Sequence, residues 1–422
     1  LDTIDLKVLR HILILGSLVL LASLAKGQNK LLFNTISDSS FQSASSALIH
    51  DVGASFRSNT LDNSIMQKLV LGGMISPEEE ANGRSTLAEQ NRAGGQGLLN
   101  FHYLNFDAEF GKNRQFGWML NLSTDYHLKF DFPGTLYDLI FDGNTNYLGQ
   151  EMRIEGIGAS FMAYQKLGAG VFHKKNLSYV SLSYVNGQDF VRAQGDGTLY
   201  TSAIGDSLSF DYSGFVEQSD PENVGAGRPN GSGVSLDARL NIPFGDDAGF
   251  VRIELKDVGG IWWNDKSTAY ESKEVISYTG IEINDFLDQS LADVSIPNFQ
   301  DSISTTETKG SIFTGLSGSY MASILSKQAS GNYLELGVTM KMDNTALPMV
   351  HGSYHYILDK STSVFARATV GGYGRLRLGA GFEKYWKGWY ISAQTGDLPG
   401  LILDDLRGRG AWFSFGRFFK TK

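Results

Sequence analysis

The chain has 422 residues, with 49 glycines, 8 prolines, 12% aromatic residues, no cysteine and a formal net charge of −9. The missing cysteine excludes disulfides, thiolate metal sites and a cysteine nucleophile. The acidic balance argues against nucleic acid as a partner.

In chain order the first feature is an export signal. Lys7 and Arg10 precede the apolar run HILILGSLVLLASLA, and Ala25 and Gly27 frame a cut before Gln28. That run is too short for a membrane helix, so residues 1–27 read as a signal peptide.

Residues 28–97 alternate poorly. VGASFRS (52–58) reads as a strand, and Asp62 caps a helix over NSIMQKLVL. SPEEE combines Ser76 as N-cap, Pro77 at the first helical position and Glu79 three residues after the cap, a helix-start signature. Apolar residues such as Ile65, Leu69 and Val70 are too few for an independent core. The segment is therefore expected to plug or cap the larger body built by residues 98–422.

From residue 98 the rhythm has period two. QFGWMLNLSTDYHLKFD (115–131) puts Phe116, Trp118, Leu120, Leu122 and Leu128 on one face. Asn121, Asp125, His127 and Lys129 fall on the other. At roughly 3.3 Å per residue it reaches about 55 Å, well beyond an ordinary strand. Further candidate strands are 98–110, 152–172, 177–187, 233–243, 250–258, 311–323 and 332–342. Then come 349–358, 362–371, 375–384, 388–396 and 410–419. Short connections such as GKNR, HKKN, GDDAG and YWKG alternate with long ones at 132–151, 188–232 and 259–310. An extra hairpin is expected within 197–216.

An export signal, over-long strands, alternating short and long connections, and the aromatic last strand AWFSFGRFF together imply an all-β fold: an antiparallel transmembrane β-barrel of about 14 strands in the bacterial outer membrane. The expected organisation is a signal peptide (1–27), a partly helical segment (28–97) and the barrel (98–422).

Three blocks carry a resemblance. They hold Pro133, Leu136, Gly143 and Asn144; Gly231, Gly233 and Asp237 with Asp257, Gly259, Ile261 and Trp263; and YTGIEINDF (278–286). Together they resemble an uncharacterised outer-membrane barrel family of Bacteroidota. That family is similar in architecture to FadL-like barrels and to barrel accessories of type IX secretion. FQSASSALIH and AYQKLGAG depart from its pattern. The resemblance implies fold and location more than activity.

Other motifs point to no chemistry. His351 and His355 lie on a strand, where an i, i+4 spacing is about 13 Å, too far for one metal. GLSGS and GIGAS lack the strand–elbow–helix context of a serine nucleophile, and GGYGRLRLGAG lacks phosphate-loop spacing. No catalytic residue, metal or cofactor is expected. Trp118, Trp386, Trp389 and Trp412 read as interfacial girdle residues. Trp262 and Trp263 read as part of a loop.

The charges select the register of the GDDAG hairpin. Pairs summing to 493 place Leu240 opposite Ile253, Arg239 opposite Glu254 and Asp237 opposite Lys256, whereas shifts by two bring like charges together. Charges are costly against lipid. Asp125, His127, Lys129, Asp237, Arg239, Glu254 and Lys256 are therefore the candidate lumen-lining residues. The expected partners are outer-membrane lipid and other outer-membrane or secretion proteins. Two functions fit: a FadL-like passive channel for small hydrophobic or amphipathic solutes, or a non-transporting accessory of a secretion or surface-assembly complex.

Overall fold

The computed structural model describes residues 44–110, 115–223, 225, 227–245, 248–278, 306–342 and 346–420. The expected signal peptide, residues 28–43 and the YTGIEINDF block after Tyr278 lie outside the described residues.

Strand β1 (Ser46–Ser58) is followed by helices α1 (Asn63–Leu71) and α2 (Pro77–Arg84), then by β2 (Gln90–Phe110) and β3 (Phe116–Pro133). Helix α3 (Gly134–Phe141) precedes β4 (Glu151–His173), β5 (Tyr179–Thr201), β6 (Leu208–Gln218), β7 (Gly231–Phe244), β8 (Gly249–Trp263) and β9 (Thr268–Tyr278). The chain continues through β10 (Thr306–Lys309), β11 (Phe313–Gly315), β12 (Ser319–Lys327), β13 (Tyr333–Lys341) and β14 (Leu347–Asp359). It ends with β15 (Thr362–Gly372), β16 (Arg377–Trp386), β17 (Trp389–Thr395) and β18 (Gly408–Phe419).

Hydrogen-bonded neighbours close a ring of 14 antiparallel strands. It runs β1–β2–β3–β4–β5–β7–β8–β12, then β13 through β18, and returns to β1 through pairs such as Val52↔Phe413. The wall therefore starts at Ser46 and not at residue 98. Without β1, both β18 and β2 would be open edges.

The remaining strands extend the wall beyond the barrel. The end of β5 pairs with β6, β6 with β9 and β9 with β10. The stretches 188–232 and 259–310, expected as loops, are thus largely sheet where described. The hairpin expected within 197–216 is the β5–β6 turn. Trp262 and Trp263 are strand residues of β8, not loop residues.

Short turns gather at one end of the ring and long connections at the other. At the long-connection end, α1 and α2 sit on the rim. Asp62 accepts the N–H of Ile65, and Ser76 with Glu79 forms the reciprocal capping box. Asn63 Nδ2 reaches the carbonyls of Gly400, Leu403 and Gly408. Leu61 and Ile65 pack with Phe132 and Tyr137. Helix α3 is not expected from the sequence. Its Leu136 and Leu139 cover Met152, Ile154 and Leu199 of the sheet extension.

The outer face is apolar. Along β3, Leu120 and Leu122 are 45% and 50% exposed, while Met119, Ser123 and Asp125 are buried inside. Trp412 departs from the expected girdle. It is 4% exposed and points inward across Gly53, whose Cβ would lie 1.5 Å from the indole. Strand parity decides this: Phe413 and Phe415 take the outward positions of β18.

Leu120→Arg should weaken insertion by about 2–4 kcal/mol, the range for a cation near the bilayer midplane, measured by reversible folding into lipid vesicles. A second expectation concerns the rim helices. Lys68 and the Ser76 amide hold the Glu79 carboxylate down, to about 2. Its stabilising contribution should be complete above the ordinary carboxylate value and disappear as pH falls towards 2. Amide exchange of residues 63–84 against pH checks this.

Candidate functional site

The inward faces of the strands do not line an open pore; they fill the lumen. Register pairing places a row of polar residues on eight consecutive wall strands. It runs Ser363, Glu383, Ser392, Ser414, Asp51, Asn100, Ser123, Lys166. Polar groups withdrawn from water must be paired, and these are linked to neighbours. Ser414 Oγ donates to Asp51 Oδ1 at 2.6 Å, and His102 Nε2 lies 3.3 Å from Asp51 Oδ2. His102 Nδ1 is 2.8 Å from Asn121 Oδ1, and Asn121 Nδ2 donates to Ser181 Oγ at 2.9 Å.

The centre of the site is Lys166. Its ammonium donates to Asp257 Oδ1 and, at 3.3 Å, to Asp237 Oδ2. All three residues are buried. The β7–β8 register sums to 493 from Ala238↔Leu255 through Arg239↔Glu254 to Phe244↔Gly249. The expected Asp237–Lys256 pair does not form, because the register shifts between Leu236 and Ala238. This β-bulge sets both Lys256 and Asp257 against Asp237. Asp257 adopts φ 55°, and its N–H donates to Asp237 Oδ1 at 2.8 Å. Lys256 lies 3.7 Å from Asp257 instead.

The other expected lumen residues sit around this cluster. Asp125 is buried and accepts from Ser123 Oγ at 2.6 Å. His127 stacks on Tyr164, with Nε2 3.1 Å from its hydroxyl. Lys129 shares the inward face of β3, opposite Gly94 and Ser160. Arg239 Nε donates to Glu254 Oε2 at 2.6 Å, and its guanidinium lies over the Tyr179 ring. Between Asn121, Lys166, Asp237, Arg239, Glu254 and Lys256 remains a cavity of about 30 Å³, room for one or two waters.

Sequence reasoning misses Lys166 and Asp257. Lys166 shares its parity with Gly168, Gly170 and Phe172, so its inward face is readable in AYQKLGAG. It also misses Glu335, which takes Arg367 at 2.9 Å and lies 3.9 Å and 3.6 Å from the Nε2 atoms of His351 and His355.

One contact crosses the lumen between strands half the ring apart. At the long-connection end, Lys341 of β13 donates to Gln96 of β2 at 3.2 Å. Tyr373 meets Lys341 from the β15–β16 turn and covers Gly94. At the short-turn end an apolar cluster joins Ile49, Leu104, Met119, Phe172, Tyr385 and Phe418. Trp263, 1% exposed, stacks on Phe190 and donates to Thr314 Oγ1 at 2.8 Å, while Trp262 faces outward against Phe313.

No protein-family model and no curated protein matches the chain. Among solved structures, it is similar to the monoaromatic hydrocarbon channel TodX in a deltaS2S3 mutant form, at 9% identity and TM-score 0.42 over 94% of this chain and 97% of that one. The translocator domain of autotransporter NalP from Neisseria meningitidis matches at 9% identity and TM-score 0.30, over 97% and 96%. The Ralstonia pickettii toluene transporter TbuX matches at 7% identity and TM-score 0.30, over 94% and 97%.

Removing Lys166 leaves buried carboxylates uncompensated. Lys166→Met should destabilise the barrel by about 3–5 kcal/mol. Adding Asp257→Asn should recover part of that loss, measured by urea unfolding in lipid vesicles.

Proposed function

We propose that this chain is a non-transporting outer-membrane barrel, an anchored scaffold that presents its long-connection end to other outer-membrane or secretion proteins. The observation that carries this reading is the burial of the inward-facing side chains, together with the Lys341–Gln96 contact between strands half the ring apart. A solute passing through would have to break the Lys341–Gln96 contact and move among the buried ion pairs of Lys166, Arg239 and Glu335. Leaving buried charges unpaired is expensive, so the filled state is the ground state. A small hydrophobic solute would also have to displace charged groups in the middle of the lumen, which weighs against the FadL-like channel. The sheet formed by the end of β5 with β6 and β9 gives the scaffold a rigid body outside the wall. No catalytic role is part of this reading.

Purified protein reconstituted in planar bilayers should give no stepwise conductance, and liposomes carrying it should swell in sugars no faster than empty ones. Porin-like conductance, or accelerated uptake of an aromatic hydrocarbon into the liposomes, would overturn the scaffold reading in favour of the channel.

A further inference from the structure

The two ends of the barrel differ in charge. The long-connection end carries Glu78, Glu79 and Glu80 on α2 with Asp138 and Asp142 beside them, five acids against the two cations Lys68 and Arg84 that pair with them. At the short-turn end, Lys175, Lys327, Lys360, Lys384, Lys387 and Lys420 are all exposed. Asp107 and Asp359 are the exposed acids there among residues whose side chains are described.

The basic charge concentrates at the β16–β17 turn, on the outer face. Trp386 is 60% exposed, and Lys387 places its ammonium 5.7 Å from that ring. Trp386 pairs across the turn with Trp389. The Arg417 guanidinium lies 4.5 Å from the Trp389 ring and donates to the Lys387 carbonyl at 3.0 Å. Lys384 Nζ donates to Thr362 Oγ1 at 2.9 Å. These hydrogen bonds go to neutral oxygens. Phe382, Phe413 and Phe415 continue the same outer surface as an exposed apolar face.

Tryptophan rings on a lipid-facing wall settle at headgroup level. A guanidinium and an ammonium held beside such rings, with the Lys384 ammonium on the same outer face, stand where lipid phosphates lie, and cations near a membrane surface favour anionic lipid. We propose that Lys384, Lys387 and Arg417, with Trp386 and Trp389, form a binding patch for the phosphate headgroup of an anionic phospholipid in the leaflet facing the short turns. The apolar wall below the patch takes the acyl chains, and Arg417 offers a planar fork for two phosphate oxygens.

The test uses the full chain in vesicles of phosphatidylethanolamine doped with phosphatidylglycerol. After detergent extraction, the lipids that stay with the protein are quantified by mass spectrometry, and folding is verified for each variant by heat-modifiable gel mobility. Wild-type protein should retain phosphatidylglycerol enriched on the order of tenfold over the bulk ratio. The combined change K384Q/K387Q/R417Q should return the ratio to bulk, and K384R/K387R/R417K should keep the enrichment. The combination R153Q/K309Q at the other end should leave it unchanged. Absence of enrichment in the wild type, its survival in the glutamine variant, or an equal loss with R153Q/K309Q would each overturn the proposal. The readout does not depend on conductance, so it stands or falls separately from the scaffold reading.

Discussion

Inside a bilayer every backbone N–H and C=O must find a partner within the protein. That constraint fixes the rest of this structure. A sheet that ends leaves a row of unpaired groups facing lipid, so the first and last wall strands have to meet. β1 meets β18 in antiparallel register from Ser46↔Phe419 to Arg57↔Gly408, and β2 over almost the same residues. Serving two neighbours at once limits what β1 may carry inward. Gly53 stands where the Trp412 ring lies across the backbone, so a side chain there would displace the indole. A glycine covered by a cross-strand aromatic keeps the sheet paired without leaving a gap.

Closure then sets the problem of the interior. Eight strands give a lumen that side chains just fill, and diameter grows with strand number. A circular ring of 14 strands would hold opposite walls too far apart for two side chains to touch. Yet β2 and β13, half the ring apart, are joined by the hydrogen bond between Lys341 and Gln96. The cross-section is therefore flattened at that level, and the inward curve of the wall brings Lys166 of β4 to Asp237 of β7 and Asp257 of β8, two and three strands along the ring. The interior is layered accordingly. Aromatic and aliphatic side chains pack at the short-turn end, and paired charges occupy the middle. Lys166, Arg239 and Arg367 each have carboxylate partners within the wall, as desolvation requires.

How much of this is legible in the sequence depends on the layering. Period-two alternation is a property of one strand, and it locates the outward faces of β3, β7 and the first half of β8 from residue order alone. The opposition of Arg239 and Glu254 is a property of two adjacent strands, and charge pairing is enough to find it. Lys166 meeting Asp237 and Asp257 is a property of the curved wall, reached across the intervening β5. It joins strands that are not neighbours in the ring, so no local pattern encodes it. Trp412 misleads for a simpler reason: aromatic enrichment suggests an interface, but parity against Phe413 and Phe415 decides the face. Helix α3 is hidden because its apolar residues cover the sheet extension, which itself reads as loop.

The bulge at Asp257 shows how far a local charge pattern can reach. Lys256 and Asp257 are adjacent, and in a regular strand adjacent side chains face opposite ways. With Arg252, Glu254 and Lys256 inward, Asp257 would stand outward among Leu255, Leu236 and Tyr320. A carboxylate in an apolar wall against lipid is unfavourable. Inserting one extra residue turns Asp257 inward beside Lys166, with φ 55° at a residue type that tolerates it. The correction then propagates. Beyond the bulge the parity of β8 is reversed, so Ile261 and Trp263 are buried while Trp262 faces out beside Phe313. Two adjacent opposite charges thus decide which of two adjacent tryptophans enters the lumen.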